Sequence, residues 1–120
     1  TWGIVTNKAA RFTDLLVPLI QLDHAACVIS GDTTAYAKPH PEPLYEAARR
    51  INIEPEQCWY VGDDLRDIQA AQAAGMTSIA AAWGYCGATE PTHWKADAIL
   101  DTPLELLELV RAKLLQTQAA

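Results

Sequence analysis

The sequence predicts an α/β domain in three layers, with a parallel sheet covered by helices on both faces. Two observations carry that expectation. Short apolar runs alternate with segments of helical period, strand then helix, along the whole chain. Half of the 120 residues are hydrophobic and a fifth are charged, enough for one core and unlike a disordered chain. No internal repeat, low-complexity tract or linker interrupts the pattern.

Each element has its own signal. "WGIVT" (2–6) reads as a short buried strand. "RFTDLLVPLIQL" (11–22) places Phe12, Leu15, Leu16, Leu19 and Leu22 at helical spacing, and Pro18 inside it predicts a kink or two helical pieces. "CVIS" (27–30) is a second strand. "PEPLYEAARRI" (41–51) is a helix with Leu44, Ala48 and Ile51 on one face and its prolines near the first turn. "CWYV" (58–61) is a third strand, and "LRDIQAAQAA" (65–74) a helix closed by Gly75. "TSIAAAW" (77–83) is a fourth strand, although its alanines favour helix by propensity, and "AIL" (98–100) a short fifth. The last helix begins at a capping box of Thr102 and Glu105 around Pro103. Leu104, Leu107 and Val110, with Leu106 and Leu114 beside them, are expected to supply its buried face. The tail "QTQAA" (116–120) is expected to fray.

Composition excludes some functions. A net charge of −6 argues against a nucleic-acid partner, which calls for a basic stripe. No apolar run approaches the ~20 residues of a membrane span, and no secretory signal is read. Cys27, Cys58 and Cys86 are far apart, odd in number and without metal-type spacing. They read as buried free thiols of a reducing cytosol, hence a cytoplasmic protein. His24, His40 and His93 lack ligand spacing. Trp2, Trp59 and Trp83 read as core.

In open parallel sheets the ligand site lies beyond the carboxyl ends of the strands, so the residues there are the ones to read for chemistry. Thr6, Asn7 and Lys8 follow the first strand. Lys38 lies in the loop after the second, Asp63, Asp64 and Asp67 follow the third, and "GYCG" (84–87) follows the fourth. Taken singly, each has a plain structural reading: Asp63 or Asp64 as an N-cap, Asp67 favoured by the helix dipole, Thr6-Asn7 as a turn, Lys38 as a solvated lysine. Taken together they suit a magnesium-dependent reaction at a phosphate ester. Carboxylates are the usual Mg²⁺ ligands, a threonine hydroxyl and loop N–H groups bind phosphate oxygens, and a lysine supplies a point charge.

The order of these motifs resembles the haloacid dehalogenase superfamily of phosphohydrolases, over essentially the whole chain. "GIVTNK" is similar to its second motif, "AKPHPEPL" to its third, and "YVGDDLRDIQAAQAAGM" to its fourth. These spellings, with "AAWGY", resemble the phosphoglycolate phosphatase-like branch. The resemblance implies a Rossmann-like core, Mg²⁺ as cofactor, and a small phosphorylated metabolite as substrate, either 2-phosphoglycolate-like or a sugar phosphate. It implies that Thr6 and Asn7 bind phosphate, that Lys38 pairs with the nucleophile and the phosphoryl oxygens, and that Asp63 ligates Mg²⁺. Asp67 would stand behind them, orienting water or Lys38, and Asp64 would support.

One departure is large. The family's first motif, Asp-x-Asp-Gly-Thr/Val, carries the aspartate that becomes a phosphoaspartate, and no Asp-x-Asp occurs here. The helical cap of this branch is also missing. The chain therefore reads as the carboxyl-terminal half to two-thirds of such an enzyme. Residues 1–115 would be an incomplete core lacking its central first strand, inactive alone, and 116–120 a flexible tail. The strands ending at Thr6 and Asp63 should then face a gap, filled by a segment outside the chain, filled by self-association with another copy, or closed. A receiver-like phospho-acceptor or binding domain is the alternative reading. It fits poorly, because the lysine precedes the acidic cluster.

Overall fold

The strands assemble into two parallel sheets. A computed structural model of the chain describes residues 1–84 and 89–119, with side chains as far as residue 116. The first sheet pairs β1 (Ile4–Val5) with β2 (Val28–Ile29), Ile4 opposite Val28 and Val5 opposite Ile29. The second runs in the order β3 (Trp59–Gly62), β4 (Thr77–Ala81), β5 (Ala98–Leu100). Among the described residues four α-helices alternate with them: α1 (Ala10–Leu19), α2 (Glu42–Ile51), α3 (Leu65–Ala74) and α4 (Pro103–Ala119). The alanine-rich run 77–81 is a strand, against its propensity, because it lies between β3 and β5 with Ile79, Ala80 and Ala81 buried.

The helix ends follow local chemistry. Asn52 after α2 and Gly75 after α3 adopt left-handed backbone, with φ of 57° and 78°. Their successors close the last turns: Ile53 N–H donates to the Ala48 carbonyl and Met76 N–H to the Ala71 carbonyl. Pro18 does not split α1 in two. It falls in the last turn, where the missing N–H ends the helix at Leu19 rather than at 22, and Leu22 N–H folds back on the Val17 carbonyl.

Helix α2 joins the two sheets. It touches β1 and β2 on one side and α3 on the other, and α3 lies on β3 and β4. Leu44 and Ala48 meet Ala70, Ala71, Ala74 and Met76 there in a buried cluster, flanked by Val5 and Tyr60. The alanines of α3 allow that close approach. A second cluster joins Ile68, Ala80 and Trp94.

Strands β1 and β3 are not ladder neighbours. They face one another across a cavity of about 670 Å³ lined by Ile4, Val5, Leu44, Trp59, Tyr60 and Val110 among others. The two halves have not closed up.

Several expectations about burial are corrected. Leu104, Leu107, Val110 and Leu114 of α4 are exposed rather than buried. Periodicity shows which face of a helix is apolar, not whether the chain supplies its cover. The same holds for α1, whose Phe12, Leu15 and Leu19 stand in solvent while Thr13 is its buried residue. Trp2 and Trp83 are exposed, and the buried tryptophan is Trp94. Cys27 is a buried free thiol and Cys58 a half-buried one. Helix α4 continues to Ala119, through most of the segment read as a tail. Cys86 and most of the "GYCG" loop lie outside the described residues. Among the described residues, no helix is long and apolar enough to cross a membrane.

Candidate active site

The carboxyl ends of β1 and β3, and the loop after β2, meet around one lysine. Thr6 ends β1: its N–H donates to the Ile29 carbonyl at 2.9 Å, and its hydroxyl accepts the Lys8 N–H at 3.2 Å. Asn7 then reaches across 31 residues. Its Oδ1 accepts the Lys38 N–H at 3.0 Å and its Nδ2 donates to the Lys38 carbonyl at 3.1 Å, so one amide side chain clamps both groups of a single residue. The loop can pass this close because residue 31 is glycine: a Cβ there would collide with the Asn7 carbonyl.

The clamped Lys38 turns its ammonium inward. Nζ donates to Asp67 Oδ1 at 2.6 Å, to Tyr60 Oη at 2.7 Å and to the Val5 carbonyl at 3.2 Å. The Lys38 and Asp67 side chains are only 9% and 10% exposed, so this is an ion pair largely removed from water. Such a pair persists only where further hydrogen bonds satisfy both partners. Asp67 has them: its Oδ2 accepts the peptide N–H groups of Asp63 and Asp64, each at 3.1 Å.

The start of α3 explains the three aspartates. Asp64 is the N-cap and Asp67 the third helical residue, each accepting from the other's end of the turn in a capping box. Asp64 Oδ1 takes the Arg66 N–H at 2.9 Å, and the Arg66 guanidinium bonds both its oxygens. That guanidinium, with the Arg66 N–H next, holds the Asp64 carboxyl below the usual carboxylate range. Asp67 is thus both a cap and the lysine's counter-ion. The structural and functional readings of this residue are the same contact.

The structure brings Asn7, Lys38 and Asp67 into direct contact, with Thr6 next to the Val5 carbonyl that Lys38 also reaches. Asp63 follows β3, its carboxylate so close to Gly84 that a Cβ there would collide with it. The Asp64 carboxylate turns to Arg66. The Asn7 side chain, read as a phosphate donor, is committed to Lys38, which narrows that expectation to its peptide N–H.

Sequence reasoning missed two participants. Gly62 lies so close to Asp67 that any Cβ would overlap its side chain; the Gly-Asp spelling was the signal. Tyr60 was read only as part of a strand. Its hydroxyl donates to the Val5 carbonyl at 3.1 Å across the cavity. Burial first, then the Asp67 charge, pushes the phenol well above its ordinary range, so it stays protonated.

Mg²⁺ takes few protein ligands and keeps several waters. Asp67 is held by Lys38 and two peptide N–H groups and Asp64 by Arg66, while the Asp63 carboxylate stands against Gly84 just after β3. No group of three or more His, Cys, Asp or Glu that could hold a metal occurs among the described residues. Carboxylate oxygen is the donor type that Mg²⁺ takes, and Asp63, Asp64 and Asp67 supply that type after β3.

A family model described as haloacid dehalogenase-like hydrolase matches residues 1–81. A phosphoglycolate phosphatase of Xanthomonas campestris pv. campestris is 50% identical over 109 residues, 89% of this chain and 49% of that protein. An N-acetylmuramic acid 6-phosphate phosphatase of Pseudomonas putida is 38% identical over 115 residues, 94% of this chain and 52% of that protein. Among solved structures, a predicted phosphoglycolate phosphatase from Haemophilus somnus superposes with a TM-score of 0.84 at 28% identity, covering 90% of this chain and 48% of that one. The chain spans about half the length of the curated relatives it matches.

Proposed function

The chain belongs to the haloacid dehalogenase-like hydrolase family, and on that footing we propose that it supplies half of the active centre of a Mg²⁺-dependent phosphomonoesterase. The substrate is a small phosphorylated metabolite. The names of its relatives, phosphoglycolate phosphatase and N-acetylmuramic acid 6-phosphate phosphatase, favour a 2-phosphoglycolate-like acid or a sugar phosphate. The observation that carries the reading is the buried Lys38–Asp67 pair, anchored by Asn7 and by two peptide N–H groups at the end of β3.

The reaction converts a phosphate monoester and water into an alcohol and inorganic phosphate. An aspartate that these 120 residues do not supply attacks phosphorus, the ester P–O bond breaks as a second aspartate of the same motif gives the leaving oxygen its proton, and that carboxylate then deprotonates the water that cleaves the phosphoaspartate to phosphate and free aspartate. Lys38 offsets charge on the phosphoryl oxygens and on the nucleophile. Thr6 and the Asn7 N–H hold the phosphate in line. Asp67 fixes the lysine, and Asp64 holds the first turn of α3. Asp63 would hold the magnesium ion, which when bound neutralises charge on the phosphate.

The chain can be tested as it stands. Mn²⁺, a paramagnetic substitute for Mg²⁺, is expected to broaden amide resonances around Asp63, and Asp63→Ala to abolish that broadening. Para-nitrophenyl phosphate should not turn over. Broadening that ignores Asp63→Ala would remove the metal assignment. Turnover that survives repurification and is lost in Asp63→Ala would show that the chain needs no outside nucleophile. Acid-labile phosphate on Asp63 or Asp64 after treatment with a small phosphodonor would favour a phospho-acceptor domain instead.

A further inference from the structure

The Lys38 ammonium has no proton to spare. A protonated lysine carries three N–H donors, and Asp67 Oδ1, Tyr60 Oη and the Val5 carbonyl lie at 2.6, 2.7 and 3.2 Å from Nζ. A phosphoryl oxygen can accept a hydrogen bond from Lys38 only by displacing one of these acceptors. The three are not equal. Asp67 is charged, buried and held by two peptide N–H groups, so it is the most costly to give up. Val5 is backbone, fixed in the β1–β2 ladder. Tyr60 is neutral and carries its hydroxyl on a side chain that lines the 670 Å³ cavity, so it is the least costly acceptor to give up. Its own O–H remains donated to Val5 if Lys38 lets go.

Resting on the phosphatase reading of Lys38, we infer that Tyr60 is a positioning residue that latches this lysine: its hydroxyl oxygen accepts the N–H that an anion needs, and anion capture opens the Lys38–Tyr60 contact. The latch keeps the ammonium aligned and hydrogen-bonded while no phosphate is bound. It also sets a threshold, because weakly accepting anions cannot displace a 2.7 Å hydrogen bond to a charged donor. Nothing in the acidic cluster supplies this role. It comes from β3, three residues before Asp63.

The test is heteronuclear NMR on the chain labelled at lysine and tyrosine, titrated with orthophosphate. In the unaltered chain, phosphate is expected to shift the Lys38 ammonium and the Tyr60 Cζ resonance together. Tyr60→Phe is expected to speed exchange of the Lys38 ammonium protons without phosphate, and to tighten orthophosphate binding about ten- to a hundredfold, the worth of one hydrogen bond to a charged group. Lys38→Met should abolish the response. If phosphate moves Lys38 while Tyr60 stays still, or if Tyr60→Phe binds no more tightly, the latch is wrong and the site reading survives. Phosphate binding that Lys38→Met leaves intact overturns both.

Discussion

Asp67 shows how few atoms hold this site together. One carboxylate caps α3 through Oδ2 and pairs with Lys38 through Oδ1, and the space for it exists because residue 62 has no side chain. Gly62→Ala is therefore expected to act on Lys38 without touching it. The new Cβ must push Asp67 away, which costs the two peptide hydrogen bonds and unpairs a buried ammonium. Breaking a buried pair by removing one partner costs roughly 3–5 kcal/mol, and a displaced partner should cost about half that. Urea denaturation would measure the loss, and the Lys38 ammonium resonance should disappear by faster exchange. An unchanged midpoint with the ammonium signal intact would mean that Asp67 has room the geometry denies. The Gly-Asp-x-x-x-Asp spacing was legible in the sequence because it is local: a cap, its third residue and a helix start. Tyr60 was not, since its partner carbonyl is 55 residues away and only the assembled sheet brings the two together.

At the scale of elements, helix pattern and helix burial come apart. α2 and α1 are both amphipathic and both ten residues long. Leu44 of α2 is fully buried, whereas Leu15 of α1 is 70% exposed. Leu44→Ala should cost about 2–5 kcal/mol, since it opens a hole in the cluster that ties α2 to α3. Leu15→Ala should fall within about 0.5 kcal/mol of the unaltered chain. Thermal or urea unfolding of the two variants side by side decides the matter, and equal losses would mean that α1 is covered in solution. The sequence period located all four helices and the capping signals at Gly75 and Thr102. It could not report burial for α1 and α4, because a period of 3.6 marks an apolar stripe and the cover depends on what else is present. Trp94 was missed for the opposite reason: a short 3-10 turn at Pro91–His93 folds it inward, and no periodicity announces that.

For the whole molecule, the deciding feature is the cleft between two half-sheets. The N–H groups of Ile4 and Thr6 donate to the Cys27 and Ile29 carbonyls, so the alternation of the strand turns the Val5 peptide N–H toward the cleft, where its carbonyl already meets Lys38 and Tyr60. Strand edges of this kind template pairing with another chain. The apolar faces of α1 and α4 add surface that favours contact. The break between the two sheets was expected from motif order, in which no Asp-x-Asp occurs, and not from composition, which describes an ordinary globular domain. We propose that a second copy of the chain occupies the cleft at high concentration. Sedimentation equilibrium should then give a mass that rises above 13.1 kDa with loading concentration. Val5→Pro removes the cleft-facing donor while sparing the Ile4 and Thr6 bonds to Cys27 and Ile29, so it should return the mass toward the monomer. Circular dichroism would confirm that the variant keeps its helices. A monomer at every concentration would show that the open edges are guarded well enough by Tyr60 and Lys38. Association unmoved by Val5→Pro would place the contact on the helix faces instead.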